Sequence, residues 1–262
     1  MSTDKSIMGD PNNSVKAARI AEIHVLAMQS NPLLHAQFPT PESQAALEHF
    51  LAKDASKKLA HPLTGSQKEE GIRLASDQED GEILGFITWD YPRRHALFGP
   101  PSEDKKKLEE GEIKKLPGCR SEYLEEYVRL AQEAKERSGF NQKRCWHLTF
   151  VCVDPKYQGR GLGSELTQRF LDEIVEAARG GDAKLPVYLE STMEAVSMYE
   201  RLGFEKEDWF EMKIPVMRRG GGSEESEGEG KREGEEEMMT YREVCMVYYP
   251  KGTGLGRLRH LP

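Results

Sequence analysis

The stretch that most constrains the fold is residues 148–164, LTFVCVDPKYQGRGLGS. Its alternating apolar run predicts a buried strand that stops at Asp154-Pro155, because proline cannot donate a hydrogen bond to a neighbouring strand. Glycines at positions 159, 161 and 163 permit φ > 0 and let the backbone approach a ligand closely. The apolar stripe of residues 162–179 predicts a helix directly after the turn. The segment is therefore expected to fold as strand, glycine turn and helix.

The start of that helix is suited to bind an anion. Its first N–H groups lack carbonyl partners and carry partial positive charge, which suits a phosphate or a pyrophosphate. A Walker loop would need G-x-x-x-x-G-K-S/T, and no such lysine is present in this turn. The dinucleotide pattern G-x-G-x-x-G is nearly matched from Gly159, but Ser164 replaces its last glycine. A nucleotide-binding oxidoreductase and a tight turn without a ligand remain alternatives at this point.

Periodicity along the chain predicts an α/β protein. Helices are predicted at residues 15–29, 41–59, 121–138, 162–179 and 194–202, and strands at 72–76, 82–91, 146–153, 186–190, 204–214 and 240–249. Because strands alternate with helices in the second half, we expect a central mixed, twisted sheet flanked by helices.

The same pass along the chain predicts one domain over residues 14–250, with a flexible terminus at 1–13 and a tail at 251–262. An insertion at 92–140 is expected to contribute one helix. Residues 218–237 contain no aliphatic or aromatic side chain, so the acidic loop 218–238 is expected to be disordered.

Composition narrows the partners. The chain has 262 residues and a formal net charge of −8, which argues against a basic face for nucleic acid. No stretch approaches the ~20 apolar residues that span a bilayer, and the first twenty residues lack the apolar region of a secretory signal. The four cysteines form no C-x-x-C pair, so we expect free thiols and no metal site. These features predict a cytoplasmic or nuclear protein, monomeric or homodimeric, with no nucleic-acid or membrane partner.

The glycine turn carries a family resemblance. Residues 158–163, QGRGLG, resemble the Q/R-x-x-G-x-G/A signature of the GNAT N-acetyltransferase superfamily. The preceding LTFVCVDP is similar to that family's fourth strand, and VYLEST followed by AVSMYERLGF is similar to its second motif. The core resemblance covers residues 146–205, whereas NPLLHAQFP and the inserted helix resemble fungal members.

The resemblance implies a ligand and an activity. Acetyl-CoA would be the co-substrate, and an amine, in the first instance a small molecule, would be the acceptor. In this family two parallel strands splay apart, the pantetheine arm pairs with a freed strand edge, and the glycine turn binds the pyrophosphate. The residues that the resemblance assigns to coenzyme binding are Val151, Cys152, Val153, Gln158, Gly159, Arg160, Gly161, Leu162, Gly163 and Ser164.

Acetyl transfer needs a neutral amine, a polarised thioester carbonyl and a proton for the departing sulfur. By the resemblance, Tyr199 protonates the sulfur; a core tyrosine is the alternative. The strand at 146–153 lacks the glutamate of many relatives, so Glu190 is predicted as the base, with Asp90 as the alternative. His147 is more typical of a structural strand histidine, and Cys152 lacks a partner base that would make it a nucleophile.

Two other functions stay open on the sequence. The missing strand carboxylate favours a non-catalytic module that binds coenzyme A, and nothing in the residues excludes an acetyltransferase acting on lysine side chains or N-termini of proteins. Trp89 and Tyr91 are candidates for aromatic residues on the substrate side, or for core packing.

Overall fold

The computed structural model describes residues 11–60, 70–79, 81–90, 111–140, 145–179, 185–216 and 237–250. Our expectations for Tyr91, for residues 92–110, for most of the segments 1–13 and 218–238, and for all of 251–262 lie outside the described residues. The first helix begins at Pro11, inside the predicted flexible terminus, and the last strand begins at Met238, the last residue of the predicted acidic loop.

Helices and strands follow one another in nearly the predicted order. The helices are α1 (Pro11–Ala27), α2 (Pro32–Gln37), α3 (Pro41–Ala60), α4 (Ser121–Arg137), α5 (Leu162–Arg179) and α6 (Val196–Arg201). The strands are β1 (Glu70–Ser76), β2 (Ile83–Asp90), β3 (Trp146–Val153), β4 (Val187–Thr192), β5 (Glu205–Pro215) and β6 (Met238–Tyr248). A turn of 3-10 helix, Pro155–Tyr157, separates β3 from the glycine turn.

The strands form one mixed sheet in the order β1-β2-β3-β4-β6-β5. Neighbouring strands are antiparallel except for β3 and β4, which are parallel and are connected through α5. The predicted α/β class with a mixed sheet is therefore confirmed. Strand β6, which follows β5 in the sequence, lies between β4 and β5.

Helices cover both faces of this sheet. On one face, α5 and α6 pack over β2, β3, β4 and β6, and the cluster there includes Ile87, Trp89, Leu148, Leu166, Phe170, Leu189, Tyr199 and Met246. On the other face, α1 and α3 cover the β1–β3 side, and α4 covers the β4–β6 side. Alternate residues of β4 show the division, since Val187 packs against the α5 side and Tyr188 against the α4 side.

Helix starts depend on local caps, one of which our sequence analysis missed. The Thr40 hydroxyl accepts a hydrogen bond from the Ser43 N–H at 3.1 Å and caps α3 as predicted. The missed cap is Asn31, which starts α2 after α1 has ended. The Asn31 Oδ1 accepts a hydrogen bond from the Leu33 N–H at 2.9 Å, and Pro32 suits the first helical position. In the described parts of the chain, no helix is both long and apolar enough to cross a membrane.

Candidate active site

The parallel strands β3 and β4 separate soon after they start. Their Cα pairing is limited to Trp146 with Val187 and His147 with Tyr188. Beyond this point β3 remains paired with β2 as far as Val153, and β4 remains paired with β6 as far as Thr192. The two strands therefore diverge and leave a V-shaped opening in the middle of the sheet.

Main-chain groups of β3 line this opening. The Asp154 N–H donates to the Leu84 carbonyl of the β2 side at 2.9 Å. Because alternate residues of a strand point their main-chain groups to the same side, Cys152 also faces β2, whereas Val151 and Val153 face the opening. The Val153 carbonyl accepts from the Gln158 Nε2 at 3.0 Å, which ties the glycine turn back to the strand. The resemblance placed Val151, Cys152, Val153 and Gln158 at the coenzyme. The structure brings Val151, Val153 and Gln158 together at the opening, whereas the main-chain groups of Cys152 pair with β2.

The side chain of Cys152 lies on the other face of the sheet, in the cluster beneath α1. Burial raises the pKa of its thiol to about 12. The thiol is therefore protonated near neutral pH, which argues against a covalent step at this cysteine.

Asp154 anchors the turn through two groups distant in sequence from each other. Its side chain is 1% exposed, and its Oδ2 lies 2.5 Å from the Arg19 Nη2 of α1. Its Oδ1 accepts from the Lys156 N–H at 2.9 Å. Burial alone would raise the pKa of this carboxyl, but these hydrogen bonds and the charge of Arg19 lower it overall. Arg19 is a positioning residue that the sequence analysis did not find, because nothing in the local pattern of α1 marks it.

Glycine is required at two turn positions by backbone conformation. Gly159 has φ of 74° and Gly161 has φ of 87°, and a Cβ at either position would meet nothing within 4 Å. Gly163 is different, because an added Cβ there would lie 3.4 Å from the Met198 Sδ and 3.8 Å from side-chain atoms of Val151 and Val153. The first two glycines shape the turn, and Gly163 lets α5 approach β3 and α6.

The start of α5 presents main-chain donors beside the opening. The first helical hydrogen bond runs from the Glu165 N–H to the Gly161 carbonyl at 2.9 Å. Within the described residues, the N–H groups of Leu162, Gly163 and Ser164 have no acceptor, as expected for a helix start. Arg160 is exposed; its Nη2 donates to the Lys156 carbonyl at 3.2 Å and its guanidinium lies over the Tyr157 ring. The turn therefore combines the partial positive charge of the helix start with the full positive charge of Arg160.

Tyr199 lies on α6 and packs against Phe204, with a ring separation of 5.4 Å. Burial raises the pKa of its phenol above the ordinary value. Within the described residues its hydroxyl has no hydrogen-bond partner, and the one fully enclosed side-chain polar atom without a partner is the Trp89 Nε1. Tyr199 is thus a buried, protonated phenol without a hydrogen-bond partner among the described residues, and such a group is able to donate a proton.

Trp89 does not belong to the site. It is buried under α5, with its ring 4.9 Å from that of Phe170. Of the two alternatives for Trp89, core packing is the one that the structure shows. The sequence could not decide between them, because alternation along β2 does not reveal which face of the strand a helix covers.

Three titratable residues meet at the base of the opening. The His147 Nε2 lies 2.7 Å from the Glu190 Oε2, and its Nδ1 lies 3.5 Å from the Asp90 Oδ2. Burial lowers the pKa of His147, but the charge of Glu190 and the hydrogen bonds to both acids raise it above its ordinary value. Burial raises the pKa of Glu190, but the charge of His147 and their hydrogen bond lower it overall. The sequence analysis treated these residues separately, and the structure joins them into one proton-sharing group.

A second buried acid, Glu243, lies on the same face and was missed by the sequence analysis. It accepts hydrogen bonds from the hydroxyls of Tyr241 at 2.5 Å and Tyr127 at 2.9 Å. Burial raises the pKa of this carboxyl to about 7, although both hydrogen bonds oppose the shift. The alternation in TYREVCMVYY placed Glu243 in phase with buried positions, and that signal was available in the sequence.

Comparison with known proteins bears on these features. Residues 119–210, which include β3, the glycine turn, α5, β4 and α6, match the model of the acetyltransferase (GNAT) domain family. This segment of the chain is therefore similar to a GNAT acetyltransferase domain. A curated relative, an uncharacterized N-acetyltransferase of Schizosaccharomyces pombe (strain 972 / ATCC 24843), is 39% identical over 64 residues. That alignment spans 24% of this chain and 25% of the relative's length.

Two solved acetyltransferase structures share the fold of this chain. Arylalkylamine N-acetyltransferase 2 from Aedes aegypti superposes with a TM-score of 0.52 at 15% identity, over 90% of this chain and 95% of its own. The Drosophila melanogaster polyamine N-acetyltransferase, an enzyme that catalyses the formation of N-acetylagmatine, superposes with a TM-score of 0.51 at 16% identity. That superposition covers 90% of this chain and 96% of the other. At these identities the similarity concerns the fold.

Proposed function

We propose that this chain is a GNAT-type enzyme that transfers the acetyl group of acetyl-CoA to the nitrogen of a small amine. The observation that carries the proposal is the V-shaped opening, which places unpaired main-chain groups of β3 beside the N–H groups at the start of α5. The two enzymes whose structures are named above are amine acetyltransferases, as their names state.

The residues present fit the coenzyme. The main-chain groups of Val151 and the N–H of Val153 would pair with the amides of the pantetheine arm, as another strand would. The N–H groups from Gly159 to Ser164 would hold the pyrophosphate, with Arg160 adding positive charge. When bound, acetyl-CoA supplies an acetyl group that is activated as a thioester.

The chain's own residues would handle two protons. The transfer forms a bond between the amine nitrogen and the acetyl carbon and breaks the bond from that carbon to sulfur. The hydroxyl of Tyr199 donates one proton to the sulfur as it leaves, and a main-chain N–H of β3 polarises the carbonyl. Glu190 acts together with His147 to accept the proton that the amine loses. The pair suits this role better than Glu190 alone, because the pKa of an isolated ionised carboxylate lies far below that of an amine.

Two measurements test the proposal. Calorimetry should show that the purified protein binds acetyl-CoA, and a thiol-detecting assay should show release of coenzyme A when amines are added. If millimolar acetyl-CoA produced neither heat nor a shift in melting temperature, the proposal would be wrong. Tight binding without turnover on any small amine or peptide would instead favour the non-catalytic module.

A further inference from the structure

We infer that the acceptor is a monoamine with an aromatic or bulky apolar arm, and that Phe150 forms the wall against which this arm packs. The inference rests on the proposed function and specifies its acceptor. It begins from one exposed side chain on the part of β3 that borders the V-shaped opening.

Phe150 is 42% exposed although it belongs to β3, an interior strand of the sheet. A phenylalanine in such a strand is normally covered by its neighbours. The Cα pairing of β3 with β4 has already ended at His147, so no residue of β4 is paired beside Phe150. The exposed side chain therefore belongs to the stretch of β3 that borders the opening.

The wall lies on the same face as the proton-sharing group. Phe86, Thr88 and Asp90 alternate along β2 and therefore point to one face of the sheet. Phe150 lines a cavity of about 30 Å³ together with Phe86 and Thr88, and the next member of that row, Asp90, reaches His147. An acceptor that touches Phe150 therefore extends toward the residues that take its proton.

The ionisable groups of the described residues around Phe150 are neutral or paired. The His24 ring of α1 lies 4.4 Å from the Phe150 ring, and burial, assisted by the charge of Lys58, lowers the pKa of His24 to about 4. The imidazole is therefore neutral near pH 7. The carboxylate that lines the same cavity, Asp54, is paired with Lys58 at 2.8 Å.

The acidic base of the opening and the apolar wall at Phe150 together favour one acceptor class over another. The amino group of any acceptor is attracted by Asp90 and Glu190 at the base of the opening. A polyamine would place its second cation near the apolar wall, where the described carboxylate is already neutralised by Lys58. An aromatic arm in the same place would bury apolar surface against Phe150, which favours binding.

The test compares acceptors on the full chain. Phenethylamine and tryptamine should exceed agmatine and spermidine in kcat/KM by about tenfold or more, the scale set by one apolar contact in a pocket. Phe150→Ala should raise the KM for phenethylamine about tenfold and change kcat by less than about threefold. Trp209→Ala is the matched control, because Trp209 is also an exposed aromatic residue, 51% accessible, but lies on the edge strand β5.

Other outcomes overturn the inference in distinguishable ways. Preference for agmatine or spermidine, or an unchanged acceptor ratio in Phe150→Ala, would refute the aromatic wall while leaving acetyl transfer intact. Failure to bind acetyl-CoA would refute the proposed function and this inference with it. Melting temperature and acetyl-CoA affinity report whether the variant is folded, and if Phe150→Ala is not, Phe150→Leu must still shift the acceptor ratio away from phenethylamine.

Discussion

The His147 Nε2 and the Glu190 Oε2 lie 2.7 Å apart, although 43 positions separate the two residues in the sequence. They meet because β3 and β4 are parallel and are still paired at His147 and Tyr188 before they diverge. One histidine thus links the acids of two other strands at the point where the sheet opens.

Removal of the Glu190 charge should change both rate and pH dependence. We expect Glu190→Gln to lower kcat about 100-fold, the range of a lost general base. The negative charge of Glu190 raises the pKa of His147, so the acidic limb of the kcat/KM profile should lie at lower pH in the variant. Asp90 and Lys135 are the charges that still act on the histidine there. A pH–rate profile for both proteins checks this. Glu205→Gln, an exposed change on β5, should leave the profile in place, and an unmoved limb in Glu190→Gln would exclude the pair as the base.

Tyr199→Phe should separate catalysis from stability. We expect kcat to fall about 100-fold, because the variant cannot donate a proton to the leaving sulfur. Acetyl-CoA affinity and melting temperature should stay close to those of the unaltered protein, since the hydroxyl has no partner within the described residues. Tyr248→Phe is a suitable control, as Tyr248 packs against the same Phe204 ring at 5.6 Å. Retention of full kcat in Tyr199→Phe would assign the residue to the core alone.

Gly161→Ala should weaken coenzyme binding. A non-glycine residue at φ of 87° is strained, and the cost is about 1–2 kcal/mol. Gly81, at the turn between β1 and β2, has φ of 73° and equally open surroundings, so Gly81→Ala should cost a similar amount. Denaturant unfolding measures the loss in both variants, and calorimetry with acetyl-CoA should show reduced affinity only in Gly161→Ala. Equal affinities would mean that the glycine turn does not bind the coenzyme.

Glu243 should make stability depend on pH. Its pKa is raised to about 7 in the folded protein, so the folded state favours the protonated carboxyl. The resulting stabilisation is complete below the unfolded pKa and is lost as the pH rises through about 7. Glu243→Gln stays neutral, so its free energy of unfolding should fall less between pH 5 and pH 8, by a difference on the order of 2 kcal/mol.

The groups that face Glu243 remain in both proteins: Tyr127 of α4, Tyr241 of its own strand, and the acids Glu190 and Glu194. Urea unfolding at a series of pH values therefore isolates the contribution of this carboxyl. Parallel pH curves for the two proteins would show that Glu243 is ionised in the folded state at neutral pH.

The strand and helix on either side of the glycine turn were predictable because the periodicity of their apolar residues is strong. In addition, Pro155 and the glycines mark where the strand ends and where the helix begins. Both match the structure residue for residue, at Trp146–Val153 and Leu162–Arg179. The contacts that complete the site were not predictable in this way. Arg19 reaches Asp154 from 135 positions away, and Glu243 depends on a tyrosine of α4, 116 positions away. Such pairs follow from strand order and helix placement, which a local pattern does not specify.

The place of β6 between β4 and β5 bears on how the protein is made. While the ribosome has released the chain only as far as β5, the row of hydrogen-bonding groups along β4 that later pairs with β6 has no neighbour. The half of the sheet that carries Glu190 is therefore assembled only after translation has passed Tyr248, and a chain stalled before that point exposes two unpaired strand edges to chaperones or to other nascent chains.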